Sequence, residues 1–209
     1  MKFLSVYGSL DSDRGHHDSN FCVYNDGVIT YHKFERDYTV KHLDVIEYHA
    51  LERSTEITGI APHEYDAIAF FEIDRADVDY PYRKEKRYKD LTDNQFFLDH
   101  HYSHFKSVSW VADKKPDVGV IIAGAGNYVS MSAMEPNGNF LSRIPCKGKN
   151  SIGNVIEHLG HQLAVNAAGP DLSGKVMALQ SHSDVDPVFL EYLRTFSVFD
   201  NFGATFIDE

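Results

Sequence analysis

The chain has 209 residues, 43% of them hydrophobic and 24% charged, the composition of a folded protein with one sizeable core or two small lobes about a cleft. A formal net charge of −11 argues against nonspecific grip on a phosphate backbone. No run approaches the roughly 20 apolar residues that span a bilayer, and the opening Met1–Tyr7 stretch, soon broken by Gly8 and an acidic segment, is not read as a secretory signal.

Phe3–Tyr7 is predicted as the first strand. A polar loop, Gly8–Gly15, carries Asp11, Asp13 and Arg14 and runs into Gly15-His16-His17-Asp18-Ser19-Asn20. Phe21–Tyr24 and Val28–Phe34 flank Asn25-Asp26-Gly27, a tight-turn signal because type I′ geometry needs positive φ at both central residues. A helix is predicted next, with Leu43, Ile46, Ala50 and Leu51 inside and Glu47 and Glu52 outside. Asp66–Phe71 reads as a buried strand, and Asp74–Asp90, which has no apolar period, as a long surface loop. Within that loop, Tyr82–Lys89 interleaves basic residues with tyrosine, a pattern that can hold a polynucleotide. Glu85 and Asp90 dilute it and Pro81 breaks it, so a solvated loop is preferred and nucleic acid is not expected as a partner.

The centre of the chain is Phe96–His104, where three histidines and an acid fall within six residues after an apolar run. A helix running to Ala112 places His100 and His104 on one face, half of a metal site, and turns His101 about a quarter-turn away. A histidine-rich surface turn fits the same spacing. After a break at Lys114–Asp117, Val118–Ala123 is the most strand-like run. It ends in Gly124-Ala125-Gly126-Asn127, where two glycines let backbone N–H groups approach a phosphate or simply turn a hairpin. Tyr128–Ala133 and Phe140–Ile144 continue as strands about Asn137-Gly138, so the opening strand-hairpin pattern recurs. Helices are predicted from Asn154 to about Val165 and from Pro187 to Phe196, with Gly174–Leu179 between them and a weakly patterned Asn201–Phe206 at the end. Cys22 and Cys146 are too few for a disulfide framework; read as buried free thiols in a reducing compartment, they point to the cytoplasm.

Several of these stretches together resemble the O-carbamoyltransferases of nodulation-factor and antibiotic biosynthesis, relatives of the tRNA threonylcarbamoyl-adenosine synthases. Gly15-His16-His17-Asp18-Ser19-Asn20 looks like the family's glycine-x-His-Asp-Ser-Ser opening. The Asn25-Asp26-Gly27 turn, Glu35-Arg36 and Lys41-His42 match its next run, and Asp99–His104 matches its DHHxxH segment. Ser151-Ile152-Gly153, Leu159-Gly160 and Gly174–Leu179 follow in the family's order, so the resemblance spans nearly the whole chain.

The resemblance implies an α/β fold with a mixed sheet, the actin-like (ribonuclease H-like) ATPase lobe, and implies that residues 1–209 form a single first lobe without the adenylate-forming domain. It implies transfer of a carbamoyl group from carbamoyladenylate, itself made from carbamoyl phosphate and ATP, to a hydroxyl of a small-molecule acceptor. His17 matches the motif histidine near the carbamoyl group, where it could take the hydroxyl proton, and Lys41 a lysine that steadies developing charge. Asp18, Ser19, Gly124, Gly126 and Lys175 fall about the nucleotide, and His100 and His104 match histidines that bind iron or another divalent metal. Ala123 stands where the family has an aspartate ligand, Asn127 where it has glutamate, and Ala178 where it has glycine. A second chain carrying the missing lobe and the adenylate-forming domain is the partner this implies, and no membrane is involved. Two rival readings use the same residues. One is an inactive lobe that binds a nucleotide or a partner subunit. The other is a manganese phosphoesterase of the DHH type built on Asp99-His100-His101, although its parallel sheet does not suit the hairpin opening.

Overall fold

In a computed structural model, the described residues are 1–10, 18–72, 80–122, 129–145, 160–167, 170–179, 197–200 and 203–206, with isolated positions at 156, 184, 186–188 and 190–191. The chain is mixed α/β and divides into two compact units, Met1–Ile73 with Asp79–Ser107, and Asp74–Val78 with Val108–Glu209.

The first unit is built on a six-stranded sheet in the order β3-β2-β1-β4-β6-β5. Its strands are β1 (Lys2–Tyr7), β2 (Asn20–Asn25), β3 (Val28–Lys33), β4 (Ala67–Glu72), β5 (Tyr82–Lys84) and β6 (Gln95–Asp99). The β1–β2–β3 meander is antiparallel, β1–β4 and β4–β6 are parallel, and β5 closes the edge antiparallel to β6. Asp26 and Gly27 both take positive φ, 46° and 95°, so the hairpin turn forms as its sequence predicts.

The register places alternate residues in line across the sheet. Val6 sits opposite Phe21 and Phe70, and Phe70 opposite Phe97, so one face is a continuous apolar layer. Beyond the short helix α1 (Glu35–Tyr38), helix α2 (Glu47–Thr58) covers that layer with Ala50 and Leu51. The opposite face carries Phe3, Cys22, Tyr24, Ala69, Phe96 and Leu98 along a groove of about 320 Å³. Cys22 is a free, half-buried thiol rather than a fully buried one, and burial raises its pKa. Cys146 lies outside the described residues.

Three sequence expectations change in this unit. The helix begins at Glu47, so Leu43 and Ile46 precede it as an extended segment. Glu47 is only 2% exposed, not on the outer face. Its carboxylate accepts a hydrogen bond from the Tyr88 hydroxyl and lies 3.8 Å from Arg87 Nη1, which is how a buried charge is tolerated. Burial, then this carboxylate, raises the Tyr88 pKa.

The stretch expected as an open loop also holds strand β5. Gln95, fully buried, ties down the residues between β5 and itself. Its amide donates to the Tyr88 and Thr92 carbonyls and accepts from the Arg87 and Tyr88 N–H groups. Four of the five basic residues in Tyr82–Lys89 are engaged locally. Arg83 pairs with Glu85, Lys84 donates to Asn94 and Lys86 pairs with Asp93, while the Arg87 guanidinium lies 3.8 Å from the centre of the Phe97 ring.

In the second unit, β7 (Gly119–Ile122), β8 (Val129–Met134) and β9 (Phe140–Pro145) form an antiparallel meander. Its β8–β9 turn uses Gly138 at φ 96°. Helix α4 (Pro170–Leu179) buries Leu172 so close to Gly160 that a Cβ there would lie 2.6 Å from Leu172 Cδ1. The weakly patterned end forms a hairpin, β10 (Ser197–Asp200) with β11 (Gly203–Phe206).

Candidate active site

The carboxyl end of β1 collects residues that are far apart in the chain. Gly8 and Ser9 leave the strand against the segment that enters α2: Ser9 N–H donates to Val45 O and Glu47 N–H to Ser9 O. A Cβ on Gly8 would lie 2.5 Å from Val45 O, so only glycine permits this approach. Ser19, fully buried, fastens the same segment from the other side. Its N–H donates to Leu43 O and its hydroxyl accepts from Val45 N–H at 2.8 Å. The hydroxyl expected to face a nucleotide is thus an internal clasp.

Beside it lies a closed ring of four charged or titratable groups. Lys33, the last residue of β3, contacts Asp18 Oδ1 at 3.0 Å and Glu35 Oε2 at 2.9 Å. The other oxygen of each carboxylate turns to His42. Asp18 Oδ2 is 3.4 Å from His42 Nδ1, and Glu35 Oε1 accepts from the His42 backbone N–H. Hydrogen bonds to Glu35 and Asp18 push the Lys33 pKa up to about 12. Burial, followed by the charges of Asp18 and Asp44, raises that of Tyr7.

Asp18 and His42 both hold left-handed backbones, φ 62° and 54°. Such conformations cost on the order of 1–3 kcal/mol each unless the surroundings impose them, and the ring supplies that restraint. One ligand atom from each of Asp18, Glu35 and His42 lies within 4.8 Å of the others, a spread a cation could bridge. The Lys33 ammonium already takes that part between the two carboxylates.

A second constellation stands at the start of α3 (His100–Val111). Asp99, 8% exposed, caps the helix by accepting from Tyr102 N–H at 3.0 Å. The Nε2 atoms of His100 and His104 meet at 3.1 Å, close to the ~3.3 Å edge of a tetrahedral site with imidazole ligands. The expected pairing on one helical face is therefore present, and His101, turned away, is buried. Among the described residues no third His, Cys, Asp or Glu donor completes this pair. A resident metal needs three or four protein ligands, so the pair by itself does not fit one.

Asp18, Ser19 and the Lys41–His42 segment therefore come together, with Lys41 exposed at the edge. Lys175 belongs to the second unit, exposed on α4 with its Nζ donating to Asn166 O. His17, Gly124 and Gly126 lie outside the described residues, as does Ala123. No family model matches this chain. No curated protein matches it either. Sequence reasoning had Glu35 and His42 only as parts of a matching run and missed Lys33. A lysine closing a strand carries no pattern of its own until the fold sets two carboxylates beside it.

Proposed function

We propose that this chain is a carbamoyltransferase-type protein that moves a carbamoyl group from carbamoyladenylate to the hydroxyl of a small acceptor. The observation that carries the proposal is convergence: Asp18–Ser19, Glu35 and Lys41–His42, three separate stretches of the family-like pattern, meet at the end of β1. The order of the first sheet supports an actin-like lobe, because an antiparallel meander is extended by two parallel strands with a helix on one face. The half-buried free thiol of Cys22 supports a reducing, cytoplasmic setting.

In this reading a histidine at the site accepts the acceptor hydroxyl's proton as the oxygen attacks the carbamoyl carbon. The bond from that carbon to the adenylate phosphate oxygen breaks, AMP leaves, and a carbamate ester remains. Lys41 steadies the developing negative charge. The histidine pair of α3 would contribute two nitrogens toward iron or another divalent ion, and no step is routed through them. ATP enters through a partner that carries the adenylate-forming chemistry.

The decisive experiment supplies the chain with carbamoyladenylate and a panel of sugar and nucleoside hydroxyls and follows AMP release. Acceptor-dependent release above hydrolysis is expected. The incomplete His100–His104 pair favours one alternative, an inactive lobe that binds nucleotide or a partner. Calorimetric binding of the nucleotide without turnover would select it. The phosphoesterase reading loses ground because the Asp99 carboxylate caps α3, and manganese-dependent cleavage of a chromogenic phosphodiester would restore it.

A further inference from the structure

We infer that two copies of this chain associate through the outer edge of β3, pairing Val28–His32 antiparallel about a two-fold axis at Thr30. The inference stands apart from the transferase reading. β3 ends the first sheet, with β2 on one side and no strand on the other among the described residues. Its register runs from Asn20↔Lys33 to Asn25↔Val28, and just beyond it Phe34 N–H donates to Ser19 O. The alternation of an antiparallel ladder therefore gives the main-chain groups of Val28, Thr30 and His32 to β2. It turns the N–H and C=O groups of Ile29, Tyr31 and Lys33 outward.

The side chains leave this edge unguarded. Val28 is 64% exposed, Ile29 70% and Tyr31 52%. The strand has neither a proline nor a bulge, two devices that protect a free edge, and its lysine, Lys33, is drawn to Asp18 and Glu35. The other edge of the sheet is guarded: β5 is three residues long, follows Pro81 and carries Arg83 and Lys84. Ile29 and Tyr31 also prolong the rows of the groove face, Ile29 in line with Tyr24 and Phe3, and Tyr31 with Cys22 and Ser5.

A second copy is the occupant that the strand's own sequence fits. With Thr30 facing Thr30 of the second copy, Ile29 lies opposite its Tyr31 and Val28 opposite its His32. A β-branched side chain then meets a ring in each pair, and hydroxyl meets hydroxyl at the axis. Charge agrees with this register. The net charge of −11 opposes association over most of the surface, but Val28–Lys33 contains no acid. Lys33, its one formal charge, falls opposite Gly27 of the second copy, so no like charges meet. A register centred on Tyr31 would set Lys33 against Ile29 and lose the threonine pair. Two-fold pairing uses up the edge, and association stops at two.

The test uses the whole chain. Sedimentation equilibrium across the micromolar range reads the stoichiometry, and hydrogen exchange reads the Ile29 and Tyr31 amides. A dimeric wild type with both amides protected is expected. Ile29→Lys, at a site too exposed to disturb the fold, should raise the dimer dissociation constant by about tenfold or more, and Ile29→Val should leave it within about twofold. Oxidation of Thr30→Cys in a Cys22→Ser, Cys146→Ser background should link two chains, because the pair at the axis stands about 4.5 Å apart at Cα, within disulfide reach. Tyr31→Cys in that background should not, since its own copy lies a diagonal step of about 7–8 Å away. A dimer that Ile29→Lys leaves as tight as the wild type overturns the inference, and so does linkage of Tyr31→Cys as ready as that of Thr30→Cys. A monomeric wild type also overturns it: protected amides would then mean that the chain's own residues cover the edge, and unprotected ones that it is left for a different protein.

Discussion

At Gly8 the missing side chain matters because the backbone of β1 passes within touching distance of Val45 O. Gly8→Ala forces the two segments apart and is expected to cost about 1–3 kcal/mol, read as a lower urea midpoint with an unchanged slope. Lys33 makes its contribution through charge. Its folded pKa lies near 12 against an ordinary 10.5, so the stability it adds is complete below about 10.5 and disappears as the pH climbs through about 12. The difference in urea midpoint between the wild type and Lys33→Met should therefore be constant at neutral pH and close over that alkaline window. A gap that persists above it would mean that Lys33 acts by packing its stem rather than by its ammonium.

Among the elements, the central strands derive their strength from one apolar face. Phe70 is fully buried with its ring 5.2 Å from that of Phe97, and Phe70→Ala should cost about 3–5 kcal/mol in denaturant titration. The stretch before β6 depends on a polar anchor instead. Gln95→Leu keeps the volume but strands four backbone groups that now bond to the amide. A loss of at least about 1–3 kcal/mol is expected, with faster hydrogen exchange confined to residues 82–95. Hydrophobic periodicity has no means of registering such an anchor, and for that reason the stretch reads as a loop. Glu47 is a comparable case: a glutamate in the first turn of an amphipathic helix looks solvent-facing until Tyr88 arrives from 41 residues away.

For the whole molecule, charge decides what it avoids. The net charge is −11, and four of the five cations of the one basic stretch are engaged with nearby acids, an amide and a ring. The chain is expected to pass through phosphocellulose unretained at physiological salt, and retention would reopen the nucleic-acid reading. No helix among the described residues is long and apolar enough to cross a membrane. The α3 pair sets the other expectation. Zinc should bind weakly in calorimetry and lose that binding in either His100→Gln or His104→Gln, because two nitrogens make only half of a site.

Local chemistry alone was enough for much of this architecture. The Asp26-Gly27 turn, the alternating strands on either side of it and the face shared by His100 and His104 all follow from positive φ, period-two alternation and helical spacing. These depend on residues within a few positions of one another, where geometry leaves little choice. The burial of Glu47, the anchoring by Gln95, the internal role of Ser19 and the ring that joins Lys33, Asp18, Glu35 and His42 were decided only by the tertiary structure. Each pairs polar groups from different segments, and a polar side chain carries no sign of its partner until the apolar layer of β1, β4 and β6 has fixed where the segments end. The residues of the candidate site could thus be seen along the chain, whereas their roles within it came from packing.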